Sequence, residues 1–98
     1  MMPGRLRTIV SPDGRDGSLA INADASIEAG RFDGAQSAVR ALDVRRLAYV
    51  HVARGAIAVN GAALGAGDAV TLDGEERLVL SGGRDAEVLV FDLARRAA

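Results

Sequence analysis

Tyr49-Val50-His51-Val52-Ala53-Arg54-Gly55-Ala56-Ile57-Ala58-Val59-Asn60 is the stretch whose reading decides the fold. Apolar residues alternate on both sides of an Arg-Gly step, so the segment reads as two strands, Leu47–Ala53 and Ala56–Asn60, turning at Arg54-Gly55. That turn sets Ala53 opposite Ala56, Val52 opposite Ile57 and Val50 opposite Val59, and directly opposed residues share a face. Val50, Val52, Ile57 and Val59 then face a core. Tyr49, His51, Ala53, Ala56, Ala58 and Asn60 form the other face, which is small and flat. An exposed β face normally carries Thr, Lys, Glu or Arg. A face of alanines with one Tyr reads as covered, so these six residues are the candidate interface.

Working outward, further short apolar runs stand at Leu6–Val10, Ser18–Asn22, Ala25–Arg31, Ala38–Leu42, Asp68–Leu72, Arg77–Ser81 and Ala86–Leu93. Their spacing of about 8–12 residues, with glycines between them, is that of an all-β sandwich or barrel. Ser11-Pro12-Asp13-Gly14-Arg15-Asp16-Gly17 reads as a loop, and Asp73-Gly74 and Gly82-Gly83 as turns. Asp33 to Arg46 also fits a helix with Asp33 as its cap and Val39 and Leu42 on one face; the flanking β segments favour a strand there. Ala94 to Ala98 reads as a frayed tail.

Composition narrows the function classes. The chain has 98 residues, which is one domain, and a formal net charge of −1, which does not suit a nucleic-acid binder held by bulk electrostatics. There is no Cys, so disulfides, thiolate nucleophiles and cysteine zinc sites are excluded. His51 is the one histidine, which excludes a multi-histidine cage within one chain. All 12 basic residues are Arg, scattered apart from pairs at Arg45/Arg46 and Arg95/Arg96, a pattern better explained by nucleotide bias than by anion recognition. No apolar run approaches the roughly 20 residues that span a bilayer, and the first residues lack the apolar centre of a secretion signal. A cytoplasmic protein with no membrane and no nucleic-acid partner is expected.

From residue 55 onward the chain resembles a cupin: Gly55-Ala-Ile-Ala-Val-Asn-Gly61, then Leu64, then Ala66-Gly67-Asp68-Ala-Val follow that family's strand, Asn-Gly turn and Gly-Asp step. Ser11-Pro-Asp-Gly-Arg-Asp-Gly-Ser-Leu19, Asp24-Ala25, Ala48-Tyr-Val-His-Val-Ala-Arg-Gly55, Asn60-Gly61 and Glu87-Val-Leu-Val-Phe-Asp-Leu93 together resemble the C-terminal half of pirin-like bicupins, some of them quercetin 2,3-dioxygenases. The resemblance runs over about residues 7–93. It implies a single jelly-roll-like cupin β-barrel of two facing antiparallel sheets spanning residues 1–98. In the metal-binding cupins of that family, two His and a Glu precede the hairpin Gly, and another His follows the Gly-Asp strand. Those places fall here on Leu42 and Val44 (or Ala41 and Asp43 in the shorter register), on Ala48, and on Leu78. No imidazole stands at any of them, so the resemblance implies no metal, no cofactor and no catalytic residue in this chain. The family's metal belongs to the N-terminal cupin.

Other residues read as structural. His51 points outward as a surface or interface histidine, and Tyr49 is an anchor that also suits a contact hot spot. Asp24, Glu28, Asp33 and Asp43 lack ligand spacing and read as exposed carboxylates. Asp92 sits within an apolar strand; buried, it needs a partner such as Arg7 or Arg31. Gly82-Gly83-Arg84-Asp85 reads as a hairpin turn and not as an anion nest. The leading expectation is a metal-free, non-catalytic cupin module that forms a homodimer or docks on a separate catalytic cupin subunit. The alternatives are a metal-dependent flavonol 2,3-dioxygenase and a small-molecule-binding barrel.

Overall fold

The alternation at Tyr49–Asn60 builds β structure, but as one strand and not as a hairpin. The computed structural model describes residues 4–11, 19–20 and 25–94. Eight strands follow in order: β1 Leu6–Ser11, β2 Leu19–Ala20, β3 Ala25–Phe32, β4 Ala38–Ala41, β5 Arg46–Val59, β6 Ala62–Gly65, β7 Ala69–Asp73 and β8 Arg77–Ala94. No helix occurs among the described residues, so the helical alternative for Asp33–Arg46 does not form; β4 and two turns occupy it. The expected strands at Leu6–Val10, Ala25–Arg31, Ala38–Leu42 and Asp68–Leu72 stand within one residue at either end. The loop expected over residues 12–17 lies outside the described residues, as do Asp24 and the tail 95–98. Ala94, expected in that tail, closes β8 opposite Arg46.

Two corrections share one cause. The turns expected at Arg54-Gly55 and at Gly82-Gly83 are bends inside the two longest strands, β5 and β8, which pair antiparallel from Arg46↔Ala94 to Val59↔Leu80. Register slips between Val52 and Ala58 accommodate the bends. A bulge inserts a residue, twists the strand and shifts the inward phase by one position. Val50 and Val52 are therefore buried at even positions, while Ile57 and Val59 are buried at odd ones. A two-residue hairpin turn makes the same phase change, which is why the core face was readable although the topology was not.

Because β5 and β8 bend, they run through two layers. Their outer lengths build one layer with β2, β1, β3 and β7: β3 pairs with β8 from Ala25↔Leu93 to Phe32↔Ala86, β1 with β3, and β7 with β5 from Leu47↔Asp73 to His51↔Ala69. The remaining lengths pair with β6 and β4: Val59↔Ala62 on one side, Val39↔Val79 on the other. All these pairs are antiparallel; the short β1–β2 pair is parallel. Both layers feed one core, in which Phe32, Val50, Val52, Val88 and Val90 meet Ile57, Val59, Leu78 and Leu80, each at most 2 % exposed. The architecture is the all-β barrel of two facing sheets expected from the sequence.

Side chains close the turns. At the β5–β6 hairpin Asn60 (φ 48) and Gly61 (φ 85) hold the positive-φ pair that a tight two-residue turn needs. The Asn60 amide donates to Arg77 O (3.0 Å) and its Oδ1 accepts from Val79 N–H (2.6 Å), so it extends the β8 ladder. Asp68 closes the Gly65–Asp68 turn, its Oδ2 accepting from Gly65 N–H at 2.8 Å. Asp33 Oδ1 accepts from the N–H of Asp85, which holds φ 47 in the β8 bend (3.0 Å).

At Gly55 (φ 69) the backbone passes so close to β8 that a Cβ would stand 2.2 Å from Arg84 O and 2.3 Å from Asp85 O, whereas at Gly61 a Cβ would meet nothing within 4 Å. Gly55→Ala therefore destabilises the domain by about 3 kcal/mol or more, through the clash plus the positive φ. Gly61→Ala costs about 1 kcal/mol, from φ alone. Urea-unfolding midpoints of the two variants check the contrast.

Candidate functional site

The resemblance places its metal donors inside the barrel, so the inward side chains come first. Ala48 is 5 % exposed and Leu78 is fully buried, and both belong to the apolar core. Leu42 packs against that core, while Val44 is 47 % exposed. Of the second register, Ala41 and Asp43 are exposed. A divalent ion needs about three or four N, O or S donors converging on one point. The marked positions that reach the core, Leu42, Ala48 and Leu78, present carbon, the one marked carboxylate, Asp43, is exposed, and among the described residues no group of three His, Asp or Glu is placed to hold a metal ion. The donor set does not fit a metal centre. Nor is there room for an organic ligand beside it: the space between Leu42, Ala48, Leu72 and Asp92 is about 10 Å³, the limit for one water.

What this end of the barrel holds instead is a chain of four charges. Glu28 of β3, Arg40 of β4, Arg46 of β5 and Asp92 of β8 meet over the core with side chains 15–25 % exposed. Arg40 Nε donates to Glu28 Oε1, and its NH2 donates to Asp92 Oδ2 at 3.3 Å. Arg46 Nε donates to the other Asp92 oxygen at 2.6 Å. Arg40 thus bridges two carboxylates, and Asp92 bridges two guanidiniums. Charges so far out of water persist when they pair with good geometry. Asp92 is paired as expected, but by Arg40 and Arg46 and not by Arg7 or Arg31; Arg31 lies 3.5 Å from Glu87. Glu28, expected to be exposed, is likewise drawn in. Asp92 lies opposite Ala48 across β5 and β8, so the ionic chain adjoins the end where the resemblance places donors.

Nearby, Asp43 accepts from the side chain of Arg45 at 3.0 and 3.1 Å and from its backbone N–H at 2.9 Å. The Arg45 side chain first, then that N–H, hold the Asp43 carboxyl down at about 2. A depressed carboxyl stabilises the fold above its unfolded value near 3.8, and that contribution fades as pH falls from about 4 to about 2.

The six candidate interface residues do not share one face. Tyr49 and His51 lie on the outer side of the layer built with β3 and β7, where Tyr49 is 37 % exposed. Ala56 and Ala58 lie beyond the bend, in the layer built with β6. Ala53 is exposed beside the bulge. Asn60 is exposed but its amide is committed to β8. Tyr49 instead stacks edge-on against Phe91, with centroids 5.7 Å apart at 67°. Sequence reasoning missed this partner, whose signal was the run Val88-Leu89-Val90-Phe91. Such a run is apolar at every position, as in strands covered on both sides.

Two layers sharing two bent strands around a filled apolar interior define a single cupin barrel. The comparisons agree: the family model described as "Quercetinase C-terminal cupin domain" matches residues 8–93. The chain belongs to that family. A putative quercetin 2,3-dioxygenase of Pseudomonas aeruginosa is 38% identical over 92 residues, 93% of this chain and 40% of that protein. A quercetin 2,3-dioxygenase of Escherichia coli K12 is 28% identical over 85 residues, 87% of this chain and 37% of the relative. Among solved structures, the bacterial pirin YhhW of Escherichia coli, in complex with nickel(II), superposes with a TM-score of 0.90 at 25% identity, covering 98% of this chain and 42% of that one. The chain thus spans about two fifths of the length of these relatives.

Asp92→Ala leaves Arg40 and Arg46 half-buried without a shared counter-charge. The expected loss is about 2 kcal/mol, between the cost at an exposed pair and at a fully buried one. Urea unfolding at low salt measures it. In a carboxyl-detected NMR titration, Asp43 is expected to titrate near pH 2, and Arg45→Ala to return it towards the ordinary carboxylate range.

Proposed function

We infer that this chain is a non-catalytic, metal-free cupin module that serves as a body on which another cupin barrel docks. The observation that carries the reading is the carbon lining at Ala48 and Leu78, next to carboxylates already engaged by arginine. An apolar interior does not stabilise a divalent cation, and Arg40 and Arg46 add positive charge beside it. The relatives named quercetin 2,3-dioxygenase are more than twice as long as this chain, and whatever chemistry they perform has that further length to draw on. The second reading is that the chain itself is a metal-dependent flavonol dioxygenase, favoured by those relatives' names alone.

Metal analysis separates the two. The protein is purified without chelator, incubated with nickel, iron or manganese, desalted and measured by elemental analysis, and then assayed for loss of quercetin absorbance. The expected result is metal far below one ion per chain and no loss of quercetin above the buffer rate. Stoichiometric metal surviving the desalting, together with quercetin turnover, would establish the dioxygenase.

A further inference from the structure

In the layer that contains β1, β3, β8, β5 and β7, the outer side of the three central strands, β3, β8 and β5, is apolar where an outer β face is ordinarily polar. The register sets Ile27, Phe91 and Tyr49 in one row across β3, β8 and β5. Leu89 and Leu93 of β8 and Leu47 of β5 flank that row on the same side, and all six are accessible in part. No Asp, Glu, Lys or Arg interrupts the nine positions that these three strands contribute between Ala25 and Ala29. Charge returns at the edges of this patch: Arg7 of β1 stands opposite Ala29, Asp73 of β7 opposite Leu47, and beyond the Ala29 row Arg31 and Glu87 stand side by side, 51 % and 38 % exposed.

We propose that this face is a self-association surface, on which a second copy of the chain stacks layer against layer. The proposal rests on the docking role above and names its surface and its occupant. Size is the first argument. Five strands about 4.8 Å apart and three outward rows about 6.8 Å apart cover about 480 Å² per copy, or about 1,000 Å² for two, with the apolar centre on β3, β8 and β5 and a polar rim on β1 and β7. That is about the lower bound for a specific interface, the size class of weak, transient association. Charge is the second. A two-fold axis running along the strands between β3 and β8 sets Ile27 of each copy over Phe91 of the other. The same axis sets each Arg31 over the other copy's Glu87. Both signs at one margin make the face complementary to itself, as a two-fold interface requires.

Sedimentation velocity from about 10 µM to about 1 mM tests the proposal. The expected result is a monomer–dimer equilibrium, with the dissociation constant raised about tenfold or more by Phe91→Glu and by Tyr49→Arg. Tyr49 is already exposed, so that variant folds even if Phe91→Glu does not; circular dichroism confirms it. Arg31→Glu and Glu87→Arg are each expected to dissociate alone and to associate when mixed. An intrachain role for the pair would not produce that rescue. A monomer across the whole range overturns the proposal, as does a dimer indifferent to Tyr49→Arg, or mixing without rescue. A chain that stays monomeric but binds the remaining segment of the Escherichia coli relative also overturns it, and leaves the docking role standing. Metal content measured on the same samples reports separately on the metal-free reading.

Discussion

Everything in this barrel depends on β5 and β8 remaining paired while both bend. A flat pair of strands that long would extend one sheet and enclose nothing. The bend turns each strand from one layer into the other, so that Val50 and Ile57, seven residues apart on one strand, face the same interior. The bend is possible because Gly55 lets the β5 backbone lie against the carbonyls of Arg84 and Asp85. On the other strand Asp85 takes an uncommon positive φ, held by a hydrogen bond from its N–H to Asp33. The closure of a 10.1 kDa barrel is thus concentrated in a few backbone contacts, as expected where the core is too small to impose curvature by bulk.

Most of the fold was legible because its signals are local. Period-two alternation located the core-facing valines, and Asn60-Gly61 and Asp73-Gly74 marked turns that exist. The errors fell where one signal has two structural meanings. Arg54-Gly55 and Gly82-Gly83 have turn composition, yet glycine serves a bulge as well as it serves a hairpin, and only the partner strand decides. The short strand β6, Ala62–Gly65, escaped notice because three small residues and a single leucine carry no alternation. At the site, the lack of imidazoles was legible residue by residue. The ionic chain was not. Its members stand at 28, 40, 46 and 92, and nothing in sequence says that four strands bring these side chains together.

The two sides of the sheet reverse their usual chemistry. Near one end of the barrel the interior holds Glu28, Arg40, Arg46 and Asp92, while the outer face of the same layer holds Ile27, Leu89, Phe91 and Tyr49. The inner charges are tolerable because each guanidinium meets a carboxylate and the set sums to zero. The outer side chains shield one another in part, as Tyr49 and Phe91 do edge to face.

The linked charges also bear on how such a barrel evolves. The chain runs Glu28–Arg40–Asp92–Arg46, so losing either inner member, Arg40 or Asp92, breaks it, a burden that a small domain carries poorly. Point mutation introducing Glu at 48 or His at 78 would add a donor beside guanidiniums that repel the very ion it is meant to attract. Building a metal centre at this end of the barrel would take several replacements together, donors gained and guanidiniums removed.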